Sequence, residues 1–504
     1  VAPDAQQLRT YGNWRRPKSA GLGGLGLVPT AVLFLFLAVA GTAAPLNLWI
    51  AAITLAVGAV VLVPLAVRDR YGRHTGTLLY SRLAWWRGVM KGQNVYRSGI
   101  LSKVPGGKSL LPGLAMGSDM YEATDGLGRS FGMIRYHEVE HFAVTISCSA
   151  QGGSLVDQGD IDTWVANWGA FMQTMSGEPN LVGFQVVVEV APDSGEKLHN
   201  EIRHQRAATA SPLAQRVMAD IDRDYPSGSP TINTYVSFVY DAASTVGRSK
   251  RTAAEMAVEI GRRLPSLTSR LATTGAGAAA PLSATELTEI VRTAYEPGVS
   301  QLIDQARAAG RGSGLTWSQA GPTTHHAKAK SYWHDGATSV TWMMGEAPRG
   351  EVFSDVLKHL LSSHNDIDRK RVALIYRPHS PAEAAAIADR DFRAARSRTE
   401  TTRNGQAHAE AEYLAAAKTR QEEARGAGLT LFGLVVTATV MDRDDEEGNS
   451  RMLAAETAVD NLSAPARIAL RYAWGSQDAA FLAALPIGVI LPEHVVLKLP
   501  KTLK

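Results

Sequence analysis

Residues His137, Glu138 and His141, in the stretch RYHEVEHFAVTISC (135–148), fit H-E-x-x-H. On a helix that spacing turns two imidazoles toward one zinc ion and sets the glutamate to activate water. The surrounding residues, Met133 through Cys148, are instead rich in β-branched and aromatic types with partial alternation, which predicts a strand. At ~3.3 Å per residue the two histidines would stand roughly 13 Å apart along a strand, whereas zinc ligands lie about 2 Å from the metal. The motif is therefore read as polar residues on a sheet face, and a membrane-bound zinc hydrolase stays a third reading of function.

Other chemistry-bearing patterns are weaker. GGKS within residues 102–113 resembles the end of a phosphate-binding loop. Its first glycine position holds Ser102, with Pro105 inside the loop, so a Gly/Pro turn is expected. His325, His326, His334 and Asp335 could serve a metal or an acid/base role in a turn-rich segment. Asp442, Asp444, Asp445, Glu446 and Glu447 lack the spacing of a calcium loop and read as a solvated tip. No catalytic residue, cofactor or metal is assigned.

With 504 residues, 45% of them hydrophobic and 20% charged, the chain has room for two to four compact units. Its one cysteine, Cys148, excludes an intramolecular disulfide and any multi-thiolate zinc site. The net charge of +4 does not demand a nucleic-acid partner.

Two charge-free runs, residues 25–44 and 46–67, are each long enough to cross a ~30 Å hydrocarbon core, and Gly41, Thr42 and Pro45 supply a turn between them. A hairpin of two transmembrane helices is expected. Arg9, Arg15, Arg16 and Lys18 before it, and Arg68, Arg70 and Arg73 after it, place both termini in the cytoplasm of a multi-pass inner-membrane protein. Directly beyond, Leu79, Leu83, Trp86 and Met90 fall at helical spacing beside Arg82, Arg87 and Lys91. An interfacial helix follows from that pattern, with Arg68, Arg70, Arg73, Arg82, Trp85, Trp86 and Arg87 as candidate contacts to the lipid bilayer. Packing of Trp85 and Trp86 on the soluble core or a partner is the alternative.

The remainder alternates strand-like and helix-like segments. A tryptophan stripe through Trp164 and Trp168 reads as core, and LVGFQVVVEVA as a strong strand. The fold class expected is α+β, a two-helix membrane hairpin followed by two sandwich-like halves. Its domains are an N-terminal segment (1–24), the hairpin (25–67), a juxtamembrane linker (68–114), a first α+β domain (115–335) and a second (336–504). The second carries a helical arm over 381–425 with a break near Asn404-Gly405.

Several stretches resemble a known family. The charge-free region, YRSGILSKVPGGKSLLPG, DGLGRSFGMI, VTISCSAQGGSLVDQGDIDTWVANWGAFM and VVVEVAPDSG together look like an actinobacterial membrane protein family of conjugative and integrative elements. RIALRYAWGSQDAAFLAALPIG is similar to a segment in the amino-terminal half of the conjugative type IV secretion ATPase, ahead of its motor domain. The resemblance implies a non-catalytic scaffold that recruits a separate hexameric motor ATPase, in an oligomeric assembly with other secretion-channel membrane subunits. The sequence ends at Lys504, where that ATPase would continue into its phosphate-binding loop, so no ATP hydrolysis is expected. A type VII secretion membrane component is the alternative, and direct contact with DNA is left open.

Overall fold

The computed structural model describes residues 27–495 except 68, 70, 100–101, 103–106, 151, 153–155, 194–200, 203–206, 208, 225–229, 244–249, 311, 349–351, 402–405 and 442–445. Arg9, Arg15, Arg16, Lys18, Arg68, Arg70, Pro105, the Asn404-Gly405 break and Asp442, Asp444 and Asp445 therefore lie outside the described residues.

Two apolar helices come first, α1 (Leu27–Ala43) and α2 (Leu48–Ala66). They pack where Gly58 admits the Phe36 ring, since a Cβ at Gly58 would stand 2.8 Å from Phe36 Cγ. Among the described residues only α2 is long and apolar enough to cross a membrane. α1, with 17 residues, is a shorter apolar helix. The expected two-span hairpin is thus corrected to one candidate span.

Helix α3 (Thr75–Met90) leads into a single antiparallel sheet. Its strands are β1 (Val95–Arg97), β2 (Ser118–Thr124), β3 (Ser130–Tyr136), β4 (His141–Ser149), β5 (Leu181–Pro192), β6 (Pro230–Asp241), β7 (Ala278–Pro281), β8 (Thr324–Ala327), β9 (Tyr332–His334), β10 (Ala337–Glu346), β11 (Arg369–Pro378), β12 (Thr430–Val440) and β13 (Ala469–Tyr472). The remaining helices are α4 (Gln158–Ser176), α5 (Pro212–Asp224), α6 (Ala253–Leu271), α7 (Ala284–Tyr295), α8 (Ser300–Ala308), α9 (Lys358–Leu361), α10 (Pro381–Thr401), α11 (Gln406–Ala424), α12 (Glu446–Ser463) and α13 (Gln477–Ala483). Thr252 and Ser283 close capping boxes with Glu255 and Glu286 at the starts of α6 and α7, each such cap contributing about 1 kcal/mol.

The strand order is β1-β8-β9-β10-β12-β11-β5-β6-β4-β3-β2, with β13 also on β10 and β7 also on β4. The expected pair of separate sandwich-like halves is corrected here: the strands form one continuous 13-stranded sheet. Within it, the segment β4-α4-β5-β6-α6-β7 has the spatial order β7-β4-β6-β5. The segment β10-α9-β11-β12-α12-β13 repeats it as β13-β10-β12-β11. Each is a ferredoxin-like βαββαβ unit. They join because the edge strands β5 and β11 pair antiparallel from Phe184↔Tyr376 to Val190↔Lys370, which removes two exposed edges. The junction strand β5 is packed on both faces, Val186 against the core under α4 and α6 and Val187 in the core on the opposite face, which explains why VVVEV reads as a nearly unbroken apolar run.

One sheet face carries the helices of both units. Phe142, Phe184, Phe238, Ile260 and Leu264 form the core under α4 and α6, while Val340, Trp342, Val436 and Val459 form the core under α12. Trp168 stacks on Phe171 at 5.4 Å within the first core, as expected for the tryptophan stripe. The opposite face is covered by α7 and by residues 480–490, nearly all fully buried. Gly488, at φ 73°, lies so close to the sheet that a Cβ would sit 2.8 Å from both Ala143 Cβ and Val239 Cγ2.

Between the second and third strands of each unit the chain leaves the sheet. The first excursion includes α5. The second is the pair α10 and α11, which run antiparallel, held by Arg420–Asp389 at 2.7 Å, Arg398–Glu412 at 3.3 Å and the Phe392–Tyr413 ring contact at 5.5 Å. At ~1.5 Å per residue α10 is about 30 Å long. Its connections start beside the helix face of the first unit, where Gln173 Nε2 donates to Gly426 O.

Candidate functional site

The H-E-x-x-H residues lie neither on a helix nor along one strand. His137 to Glu140 form the turn between β3 and β4, with Glu140 at φ 53° and Tyr136 paired to His141. The expected single strand over this stretch is corrected to a hairpin. His137 Nε2 lies 2.7 Å from Asp119 Oδ2, Glu138 is exposed, and His141 is buried at the start of β4. Glu140 is bound to Arg135 at 3.0 Å, and this contact holds its carboxyl below the usual range. The zinc geometry that the motif needs is not formed, and among the described residues no three His, Cys, Asp or Glu side chains gather as a metal-binding group.

GRSFG (128–132) fits the G-x-S-x-G spacing of a serine-nucleophile elbow, a match that the strand pattern hides. Ser130 opens β3, and its hydroxyl donates to Glu122 on the neighbouring strand. The elbow needs a strand-to-helix turn, and here strand follows hairpin. Cys148, buried in β4, is held protonated, because burial pushes its thiol up to about 11.

His325 and His334 face each other across β8 and β9. His334 is fully buried, with Nδ1 2.5 Å from Tyr295 O and Nε2 2.8 Å from Ser339 Oγ, which continues at 2.7 Å to Thr439 Oγ1. His325 stacks on Tyr96 at 5.3 Å. Burial lowers them to about 3 and about 4 respectively, so both are neutral at pH 7. Asp335 accepts the Thr323 and Thr324 N–H groups at 2.8 Å each. These side chains order the β8–β9 hairpin rather than present a reactive surface.

The sequence reading missed the buried polar rows on the covered sheet face. In the first unit Thr145, Ser237 and Gln185 sit side by side on β4, β6 and β5. In the second, Thr341, Thr437 and Arg371 repeat them on β10, β12 and β11. Main-chain carbonyls of the 483–486 segment cover the first row: Thr145 Oγ1 donates to Pro486 O at 2.7 Å, and Gln185 Nε2 to Leu485 O at 2.7 Å. The second row ends on Glu189. Arg371 Nε (2.8 Å) and Arg369 Nη1 (2.9 Å) both donate to its Oε1. Burial pushes the Glu189 carboxyl up, but Arg371 and Arg369 outweigh that and hold it at about 2. The one signal in the sequence was a glutamate inside the run VVVEV.

Of the candidate lipid contacts, Arg73 lies in the elbow between α2 and α3, and Arg82, Trp85, Trp86 and Arg87 lie on α3. Thr75 Oγ1 donates to Pro64 O at 2.9 Å and Thr75 N to Val67 O at 2.9 Å. Asp69 accepts the Tyr71 and Arg73 N–H groups and pairs with the Arg73 guanidinium at 3.1 Å. Tyr71 OH then reaches Leu470 O on β13 at 3.3 Å. On α3 the two tryptophans part company. Trp85 packs on Trp474, centroids 5.4 Å apart, with the Arg82 guanidinium 5.4 Å from the same ring, whereas Trp86 is 59% exposed. Arg87 is exposed near the end of the helix. The elbow thus couples an apolar helix to the edge of the sheet through the Tyr71–Leu470 hydrogen bond and one aromatic pair.

A family model described as a domain of unknown function (DUF8461) matches residues 18–77, the segment that contains α1, α2 and the elbow. No curated protein matches the chain.

Proposed function

We propose that this chain is a membrane-tethered, non-catalytic scaffold of a type IV-like conjugative DNA-transfer machine, which holds a separate motor ATPase at the cytoplasmic membrane. The observation that carries the reading is the elbow, where the candidate membrane helix α2 is joined to the sheet body through Tyr71–Leu470 and Trp85–Trp474. A loose linker would suffice for simple attachment. Specific contacts at this point suit a part that sets the orientation of a bound machine over a channel.

The body supplies docking elements in α5 and the α10–α11 arm, both inserted between the second and third strands of a unit. The residues with catalytic spacing are taken up in turns and buried hydrogen bonds, which favours a structural role. The assignment to conjugation rests on the resemblance of the sequence words given above.

The test is affinity purification of the full chain, in detergent, from crosslinked membranes of its native host. A hexameric ATPase recovered at defined stoichiometry, with ATP turnover residing in that partner alone, supports the proposal. ATP turnover by the purified chain itself overturns it.

A further inference from the structure

We infer that α3 lies in the headgroup layer as an in-plane helix that binds anionic phospholipid, so that the bilayer surface is itself a docking partner of the sheet body. This rests on the membrane tether proposed above and goes beyond it by naming the lipid class and the surface.

Three observations meet on α3. Its outward face carries Leu79, Tyr80, Leu83, Trp86 and Met90, each more than half exposed (55% to 69%). Leu79, Leu83, Trp86 and Met90 follow the i, i+4, i+7, i+11 spacing of one helical stripe, a row of apolar side chains that ordinary soluble surfaces rarely present together. The opposite side is already occupied, because Trp85 is held against Trp474 and the helix start is fixed to Pro64 at the end of α2. The exposed stripe therefore begins where the candidate membrane helix ends.

Charge selects the occupant. Between Asp69 and Asp119 the sequence holds eight Lys and Arg residues and no Asp or Glu, although the whole chain nets only +4. Arg87 and Lys91 flank the apolar stripe directly, and both are exposed. A tryptophan-bearing apolar face edged by cations matches an anionic leaflet, in which rings sit at the headgroup level and cations meet lipid phosphates. A protein groove of acidic character would also meet the cations, but it would not explain why the stripe continues from the end of α2.

The experiment uses the full chain in nanodiscs, with Cys148→Ser as background and a nitroxide at Trp86→Cys or, separately, at Val57→Cys on α2. Accessibility to oxygen and to a water-soluble nickel complex reports depth. In discs containing phosphatidylglycerol the label at position 86 is expected to favour oxygen, and in pure phosphatidylcholine to favour nickel. Arg87→Gln with Lys91→Gln should reduce the immersed-to-aqueous ratio at position 86 by roughly tenfold or more, from about 1 kcal/mol per cation. Aqueous exposure at position 86 with immersion at position 57 overturns this inference and leaves the tether standing. Aqueous exposure at both positions overturns the two together, and equal immersion in both lipids overturns the anionic selectivity.

Discussion

Gln185 and Arg371 occupy the same place in the two βαββαβ units, each third in a row of polar side chains that crosses the covered face of the sheet. Their solutions differ. Gln185 Nε2 donates to carbonyls of the segment lying over it, whereas Arg371 Nε donates to Glu189 of the first unit. The junction between the units is thus locked by an ion pair as well as by strand pairing.

Removing the charge of Glu189 should be costly. Glu189→Gln leaves Arg369 and Arg371 buried without a counter-ion, and a loss of about 3–5 kcal/mol is expected. Arg369→Met and Arg371→Met combined with Glu189→Leu should cost much less, because no lone charge stays buried. Denaturant unfolding of the purified variants checks the order. Equal destabilisation by both would contradict it.

The same carboxylate gives a pH dependence. Its folded value, about 2, lies below that of an exposed glutamate. Its contribution is therefore complete above pH ~4.5 and is lost as pH falls through about 2. His325 and His334 act earlier. Their folded values of about 4 and about 3 are depressed from 6.5, so the stability they confer as neutral rings is full above pH ~6.5 and declines as pH falls toward those values. His334→Phe should flatten the decline of melting temperature between pH 6.5 and 4 relative to the parent. An unchanged slope would contradict the assignment.

Gly58 on α2 faces the Phe36 ring of α1. Gly58→Leu is expected to separate the two helices, since even a Cβ there meets the Phe36 ring. Crosslinking between cysteines placed on the two helices should fall several-fold, while the melting of the sheet body stays unchanged. Persistent crosslinking would show that the pair is held elsewhere.

Trp474→Ala should free α3 from the body. The pair is partly exposed, so the cost is about 1–2 kcal/mol, below that of a fully buried tryptophan. Hydrogen exchange should rise on residues 75–90 and remain low in β10 and β12. Uniform exchange across the chain would indicate a global effect instead.

Much of this arrangement was legible in the sequence. The apolar runs, the tryptophan stripe and the strand VVVEV each announced their elements through local pattern. What local pattern could not show was register and adjacency. The hairpin turn at His137–Glu140 was hidden because its flanks, Met133 to Tyr136 and Phe142 to Ile146, form one uninterrupted strand-like composition. A second span was overread, because absence of charge marks an apolar run and not a helix long enough to cross. The union of β5 with β11 depends on an edge match between residues about 186 positions apart, and no window of sequence contains both. For the candidate site, the spacing around α3 pointed to its exposed stripe, while the separate roles of neighbouring Trp85 and Trp86 follow only from the position of Trp474.

The most direct measurement is alkaline carbonate extraction of membranes from cells expressing the full chain, compared with a Val57→Arg, Val60→Arg variant on the exposed face of α2. The parent should remain in the membrane pellet and the variant should shift to the supernatant without loss of body folding. Release of the parent chain by the wash would contradict the membrane-held platform.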